Sequence, residues 1–588
     1  MKELQYLNKY FVKYKYRFLL GIFITIVAQI FSLFTPELIG NSIKVIEDYM
    51  KSTTKDVVFL KAELVKNILY IIAATIIAGF FTFLMRQTLI VMSRYVEFDL
   101  KNEIFNHYQN LSQSFYKRNR TGDLMNRISE DVGKVRMYVG PAVMYSLNTL
   151  MRFTIVVIYM YNISPKLTLY SLLPLPLLSY SIFKISSEIH KKSGAFQQNL
   201  SNLFSFTQEI FSGIRVLKAY SIESKKQAEF IELTHQSKTK ALDLAKTNSL
   251  FGPLMILLIG LSNLVVVFVG GSMYINNDPE IASIGVIAQF ILYINMLTWP
   301  VASLGWVSSL VQEAEASQKR INEFLKEEPT IKNTSKSHTN IDGTITFKNV
   351  SFMYEDTNIQ ALNNVSFSIE KGKTLAILGK TGSGKSTILS LISRLYDTTE
   401  GVILMDNQAI KEVNLYDLRN QISVVPQDAF LFSDSIKNNV KFGNENATDN
   451  EVIEAAKKAV VHENIITFND QYETVLGERG ITLSGGQKQR VSIARALIKN
   501  APILLLDDCL SAVDTETEET ILNNLLAYCK DKTTIIVSHR VSSAKNADQI
   551  IILDDGKIIE QGTHNQLLNQ DSYYKQLYLK QLSEKEIE

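Results

Sequence analysis

The chain has 588 residues, enough for several domains, and its charge is nearly balanced, with 61 Lys and Arg against 59 Asp and Glu. That balance excludes the basic footprint of a nucleic-acid-binding chain, and two cysteines, Cys509 and Cys529, exclude a disulfide framework. A mean hydropathy of +0.04 is high for a chain with 20% charged residues and suggests that the apolar residues are gathered into blocks.

Residues 3–14 are amphipathic, with Leu4, Leu7, Phe11 and Tyr14 on one helical face and lysines around it, so a helix lying in the headgroup region is expected. Residues 18–34 are almost wholly apolar and, continued to Ile39, span a bilayer. The basic flank resembles a signal peptide, but no small-residue cleavage site follows and further apolar blocks do, which favours a membrane anchor. Those blocks lie at 68–85, 138–161, 167–185, 254–275 and 281–301, giving six transmembrane helices in all. Lys and Arg gather at alternate ends (Lys13, Lys15 and Arg17; Lys117, Arg118 and Arg120; Lys191 and Lys192; Lys319 and Arg320), which sets those ends and both termini in the cytosol.

The outer connections at 162–165 and 276–280 are short, whereas the inner ones are long. No Gly or Pro occurs between Gly79 and Gly122, so the helices are expected to continue into the cytosol, with tips near 114–131 and 208–223. On the last apolar block Asn295, Trp299 and Trp306 share a face with Ala302. That stripe suits either a cavity accepting flat amphipathic molecules or interfacial anchoring and helix packing. The expected domains are a transmembrane domain over 1–325, a polar linker over 326–343 and a nucleotide-binding domain over 344–588.

In the last of these, strand patterns at 344–352 and 365–369, a hairpin about Asp554-Asp-Gly556 and alternating helix patterns predict an α/β architecture. Gly379-Lys-Thr-Gly-Ser-Gly-Lys-Ser386 fits the phosphate-cradling loop, between an apolar strand at 374–378 and a predicted helix over 387–395. Its glycines turn backbone N–H groups inward and the helix N-terminus adds partial positive charge, with Gly379, Lys380, Thr381, Gly382, Ser383, Gly384 and Thr387 forming the cradle. Lys385 reaches the phosphates and Ser386 holds Mg²⁺. Asp507 ends the strand at 503–506, the position of the carboxylate that supports Mg²⁺ in P-loop NTPases. Gln427 and His539 follow two other apolar runs, so all three should meet at one sheet edge beside the γ-phosphate. Leu483-Ser-Gly-Gly-Gln487, including Ser484, Gly485 and Gly486, opens another helix with its N-terminus free for an anion. A second cradle, lacking a lysine, suggests closure over a nucleotide held by another subunit.

The P-loop, Leu483–Gln487, Ile503–Asp508, Ser511-Ala-Val-Asp514 and His539, in this order and spacing, resemble the motifs of an ATP-binding cassette half-transporter of the exporter fold, over essentially the whole chain. The resemblance implies a six-helix membrane domain followed by a P-loop domain, ATP and Mg²⁺ as cofactors, and transport ATPase activity. It implies that Tyr354 stacks on adenine, that Gln427 contacts Mg²⁺, and that Leu483–Gln487 contacts the partner's ATP in a head-to-tail dimer. Asp514 marks the D-loop, and the segments 474–480, 114–122 and 214–220 transmit motion. One position departs from the pattern: where the family carries a glutamate as base or water-positioner, this chain has Asp508. The shorter side chain withdraws the carboxylate by about 1.5 Å, and a displacement of ~1 Å costs up to ~10²-fold in rate. The expectation is a weakened site in a heterodimeric multidrug exporter of the plasma membrane, with a homodimer as the lesser reading. A siderophore importer, a lipid or peptide transporter and an ATP-gated protein that does not pump are the alternatives.

Overall fold

The computed structural model describes residues 2–53, 56–335, 337–477, 480, 482–510 and 515–585. Asp514 and the 511–513 stretch before it lie outside the described residues, as do Glu478 and Arg479 of the 474–480 segment. The chain divides into two compact units, one of residues up to 109 with Gly122–Glu327, the other of Asn110–Thr121 with the chain from Glu328 onward.

Six helical segments dominate the first unit: α1 Lys15–Lys51, α2 Val57–Asn110, α3 Thr121–Ile163, α4 Pro165–Ser212, α5 Glu223–Ile275 and α6 Ile284–Leu325. Each is long and apolar enough to cross a membrane, and at 37 to 54 residues they exceed the roughly 20 that a bilayer needs. The tight α3–α4 turn follows from its residues: Pro165 starts α4, and the Ser164 hydroxyl accepts from the Leu167 N–H. Leu33, Val156, Met160, Leu167, Phe290 and Tyr293 pack into the bundle core. Phe268 and Ile256, in contrast, are 79% and 75% exposed, an outward apolar face that suits lipid and not water. Two polar pairs in the apolar segments are bonded between helices: Arg152 Nε donates to Gln29 Oε1 at 2.7 Å, and Tyr159 Oη to Glu37 Oε2 at 2.6 Å. The amphipathic N-terminus forms two short helical turns, Glu3–Leu7 and Asn8–Lys13, burying Leu4, Leu7 and Tyr10.

The second unit holds two sheets. β1 (Ile345–Tyr354), β2 (Ile359–Ile369), β4 (Glu400–Met405) and β5 (Gln408–Ala409) form an antiparallel sheet in the order β2-β1-β4-β5. The second sheet has β3 (Thr374–Gly379), β6 (Ile422–Val425), β7 (Ile503–Asp507), β8 (Thr533–Val537), β9 (Gln549–Asp554) and β10 (Lys557–Gly562), ordered β10-β9-β3-β8-β7-β6. All its neighbouring strands run parallel except the β9–β10 hairpin. β3 explains why such strands read as unbroken apolar runs: Leu375 and Ile377 enter one core cluster while Ala376 and Leu378 enter another. The polar linker is pinned, which its composition did not suggest. Ile331 and Ile341 are buried in this unit's core, and the Asp406 carboxylate accepts from the backbone N–H groups of Asp342, Gly343 and Thr344.

Candidate functional site

The site starts where β3 turns into α7 (Lys385–Ile392). Gly379 has φ +153°, and a Cβ there would lie 2.1 Å from the Leu553 carbonyl oxygen. Gly384 has φ +99°, and its Cβ would meet the Ala361 carbonyl at 2.2 Å. Only glycine fits such positions. α7 begins at Lys385 and stops at Ile392, earlier at both ends than the 387–395 pattern predicts, with Arg394 at φ +48° beyond its C-terminus. Gly384 gives its N-terminus no side-chain cap, so the first-turn N–H groups point toward the loop.

Lys385 Nζ donates to the carbonyls of Gly379 and Lys380 at 2.8 and 2.7 Å. Burial lowers its pKa below the ordinary lysine range, opposed by the charges of Asp508 and Asp507. Ser386 Oγ donates to Asp507 Oδ1 at 2.8 Å. Burial raises the Asp507 pKa, the Ser386 hydrogen bond lowers it, and the neighbouring Asp508 charge raises it. A cation placed between Ser386 and Asp507 would offset that burial, and the hydroxyl and carboxylate oxygens are the hard donors that suit magnesium, which keeps waters and substrate phosphate as its other ligands. Among the described residues no group of three or more His, Cys, Asp or Glu is placed to hold a metal ion.

Parallel register delivers the other residues. Val425 pairs with Leu506, Asp507 with Val537, and Ile377 with Val537, so β6, β7, β8 and β3 end on one edge. Gln427, Asp507, Asp508 and His539 therefore line one cleft of about 410 Å³ with Gly382, Lys385, Ser386 and Tyr354. Asp508 occupies a left-handed position at φ +43°, which aspartate tolerates better than longer side chains. Its backbone N–H donates to the Val537 carbonyl at 2.9 Å, and its two carboxylate oxygens lie 2.9 and 3.1 Å from His539 Nδ1. Tyr354 ends β1, with Oη 3.1 Å from Thr387 Oγ1 and with Phe352 and Tyr396 edge-on to its ring. Pro426, before Gln427, is backed by Gln489 Nε2, which donates to its carbonyl at 3.1 Å.

Leu483–Gln487 does not line this cleft; it opens α8 (Gly485–Lys499) elsewhere in the unit. Ser484 and Gln487 close a reciprocal capping box, with Ser484 Oγ accepting from the Gln487 N–H and Gln487 Oε1 from the Ser484 N–H.

In the membrane unit, Asn295 Oδ1 accepts from Asn263 Nδ2 at 3.3 Å, Trp299 is exposed and Trp306 meets Tyr145 edge-on at 5.2 Å. An apolar cavity of about 540 Å³ lies against the same helix, lined by Thr149, Phe153, Leu175, Pro300 and Leu304 among others. None of the three singled-out residues lines it; at 100° per residue they fall on a different face of α6. Sequence reasoning also passed over Arg152 and Glu37, whose signal was a charge inside an apolar block. It did not single out Lys117, which lines the P-loop cleft and stands in the sequence reading only as a topological charge and as part of the 114–122 segment.

Fold and site together define a multi-pass membrane protein carrying a P-loop nucleotide-binding unit. Residues 18–301 match the family model described as ABC transporter transmembrane region, and residues 362–511 match the model described as ABC transporter. The multidrug resistance-like ATP-binding protein MdlA of Buchnera aphidicola subsp. Baizongia pistaciae is 35% identical over 585 residues, 99% of each chain. The probable multidrug resistance ABC transporter ATP-binding/permease protein YheI of Bacillus subtilis is 35% identical over 98% of this chain and 97% of its own. A solved structure of a bacterial Atm1-family ABC exporter with ATP bound superposes with a TM-score of 0.79 at 26% identity, covering 96% of this chain and 98% of that one. The chain belongs to the ABC transporter family, with the exporter architecture: it binds ATP and is a transport ATPase.

Proposed function

We propose that this chain is one half of a heterodimeric exporter that uses ATP to move amphipathic, drug-like compounds out across the plasma membrane, with both termini cytosolic. In this reading residues 1–325 are the transmembrane domain, 326–343 the linker and 344–588 the nucleotide-binding domain. Tyr354 takes the adenine, the P-loop with Lys385 takes the triphosphate, and Ser386, Gln427 and Asp507 hold Mg²⁺. The ion, when bound, neutralises phosphate charge. Asp508 positions or deprotonates the attacking water and His539 holds the Asp508 carboxylate in place. Ser484 and its loop serve the ATP of the partner, a non-identical half with a glutamate at the position of Asp508.

The observation that carries the weakened-site reading is Asp508 itself, a carboxylate one methylene short of the family's glutamate and bonded to its own His539. The substrate class follows the names of the multidrug relatives. A lipid is the second reading, favoured by a 34% identical relative covering 83% of this chain that is named an ATP-dependent lipid A-core flippase.

The test is the ATPase rate of the purified chain alone, wild type against Asp508→Glu. Restoring the methylene should raise turnover by up to ~10²-fold. Full drug-stimulated turnover by wild-type homodimers, with no gain from the glutamate, would sink both the weakened site and the heterodimer.

A further inference from the structure

Lys117 belongs to a short helix, Gln113–Arg118, in the segment joining α2 to α3, and that segment packs as part of the nucleotide unit. Its ammonium lies 4.2 Å from the centroid of the Tyr354 ring, within range of a cation–π contact. Asp356, two residues beyond Tyr354, anchors it with an ion pair at 3.1 Å. The Asp356 hydrogen bond raises the Lys117 pKa, and the same bond lowers that of Asp356, so both remain charged at neutral pH.

Two cavities meet at this contact. One is the 410 Å³ cleft of the P-loop; the other, about 590 Å³, is lined by Ser114, Thr330, Asp356 and Tyr396 among others. Lys117 and Tyr354 are the two residues lining both, so ring and ammonium together form the wall between them. The Tyr354 ring is held on its other sides by Phe352 and Tyr396, and through Oη by Thr387 of α7. The lysine is therefore the movable part of the wall. It is long, flexible and 44% exposed.

We infer that Lys117 competes with the nucleotide base for Tyr354: Asp356 holds the ammonium over the ring, and a stacking base displaces it from the ring into the outer cavity. This rests on Tyr354 being the base-stacking residue. A cation–π contact at an exposed site is worth about 0.5–1 kcal/mol, so removing it should favour the base by about two- to five-fold. The lysine charge also attracts phosphate from either ligand, so the informative quantity is a ratio.

The experiment measures equilibrium binding of ATP and of inorganic tripolyphosphate to the full chain in nanodiscs, by displacement of a fluorescent ATP analogue. Lys117→Ala should raise the preference for ATP over tripolyphosphate about two- to five-fold. Asp356→Asn, which loosens the anchor and keeps the ammonium, should shift it the same way, with no further gain in the double variant. An unchanged or reduced preference in Lys117→Ala overturns the inference, as does a full additive gain in the double variant. Tyr354→Ala, measured alongside, tests the reading beneath: if it leaves the preference intact, Tyr354 does not carry the base. If it lowers the preference while Lys117→Ala has no effect, only the competition fails.

Discussion

Two helix starts in the nucleotide unit carry the sequence pattern of an anion site, and their ends are finished differently. At α7, Gly384 supplies no cap, so first-turn N–H groups are left for a ligand, with the Lys385 cation and the Asp507 and Ser386 oxygens beside them. At α8 the Ser484–Gln487 box closes the end from within, and no lysine stands in the loop. An uncapped terminus needs its anion to be complete. A capped one is stable by itself and adds only a shallow set of donors, useful when something else presents the phosphate. The difference fits the proposed division between a cradle that binds and a surface that completes another's site.

The sharpest way to break this contrast is at Lys385. Lys385→Ala removes the ammonium that reaches back across the loop to the Gly379 and Lys380 carbonyls and should weaken ATP binding at this P-loop by roughly 10²-fold, from ~3 kcal/mol for a charged hydrogen bond. Photolabelling with an ATP analogue at wild-type affinity would show that the cradle is elsewhere. Ser484 tests the other side. Ser484→Asp keeps a capping oxygen but turns a negative charge toward the anion, so transport by the assembled protein should collapse while ATP affinity at Lys385 and the melting temperature hold. Loss of ATP affinity in that variant would mean that the two cradles are one. Tyr354→Ala should cost about tenfold in ATP affinity, one stacking face being worth ~1–3 kcal/mol. The smallest effect belongs to the membrane unit: Asn295→Ala and Trp299→Ala, tested separately, should alter which compounds stimulate ATPase activity without lowering the basal rate. An unchanged profile in both leaves those residues anchoring alone, and the 540 Å³ cavity against Pro300 and Leu304 becomes the place to mutate.

The nucleotide cleft was legible because its chemistry sits in contiguous motifs whose geometry is local. A strand, a glycine turn and a helix start are fixed by neighbours in the chain, so Gly379 to Thr387 could be placed before any tertiary contact was known. Asp507, Gln427 and His539 needed one further rule, that parallel strands end on a common edge, and the β6–β7–β8–β3 register satisfies it. Lys117 was not legible. More than two hundred positions separate it from Tyr354, and nothing in a basic stretch distinguishes a lysine in the headgroup region from one laid on an aromatic ring. The linker misled for a related reason: its composition is polar, yet two buried isoleucines and residues far along the chain, Asp406 among them at 62 to 64 positions, fasten it. In the membrane unit the blocks could be counted, but which face of α6 borders a cavity depends on its neighbours.

The length of α2 carries a mechanical implication. It is a single helix of 54 residues, about 80 Å from end to end at 1.5 Å per residue, and the Lys117 segment begins where it stops. A rod of that length magnifies angle into distance: pivoting by about 5° at one end carries the other through about 7 Å. On the inference above, the Lys117 side chain would move just beyond one end of this rod when a base arrives. α2 is unbroken by proline, so it is stiff enough to turn as one piece.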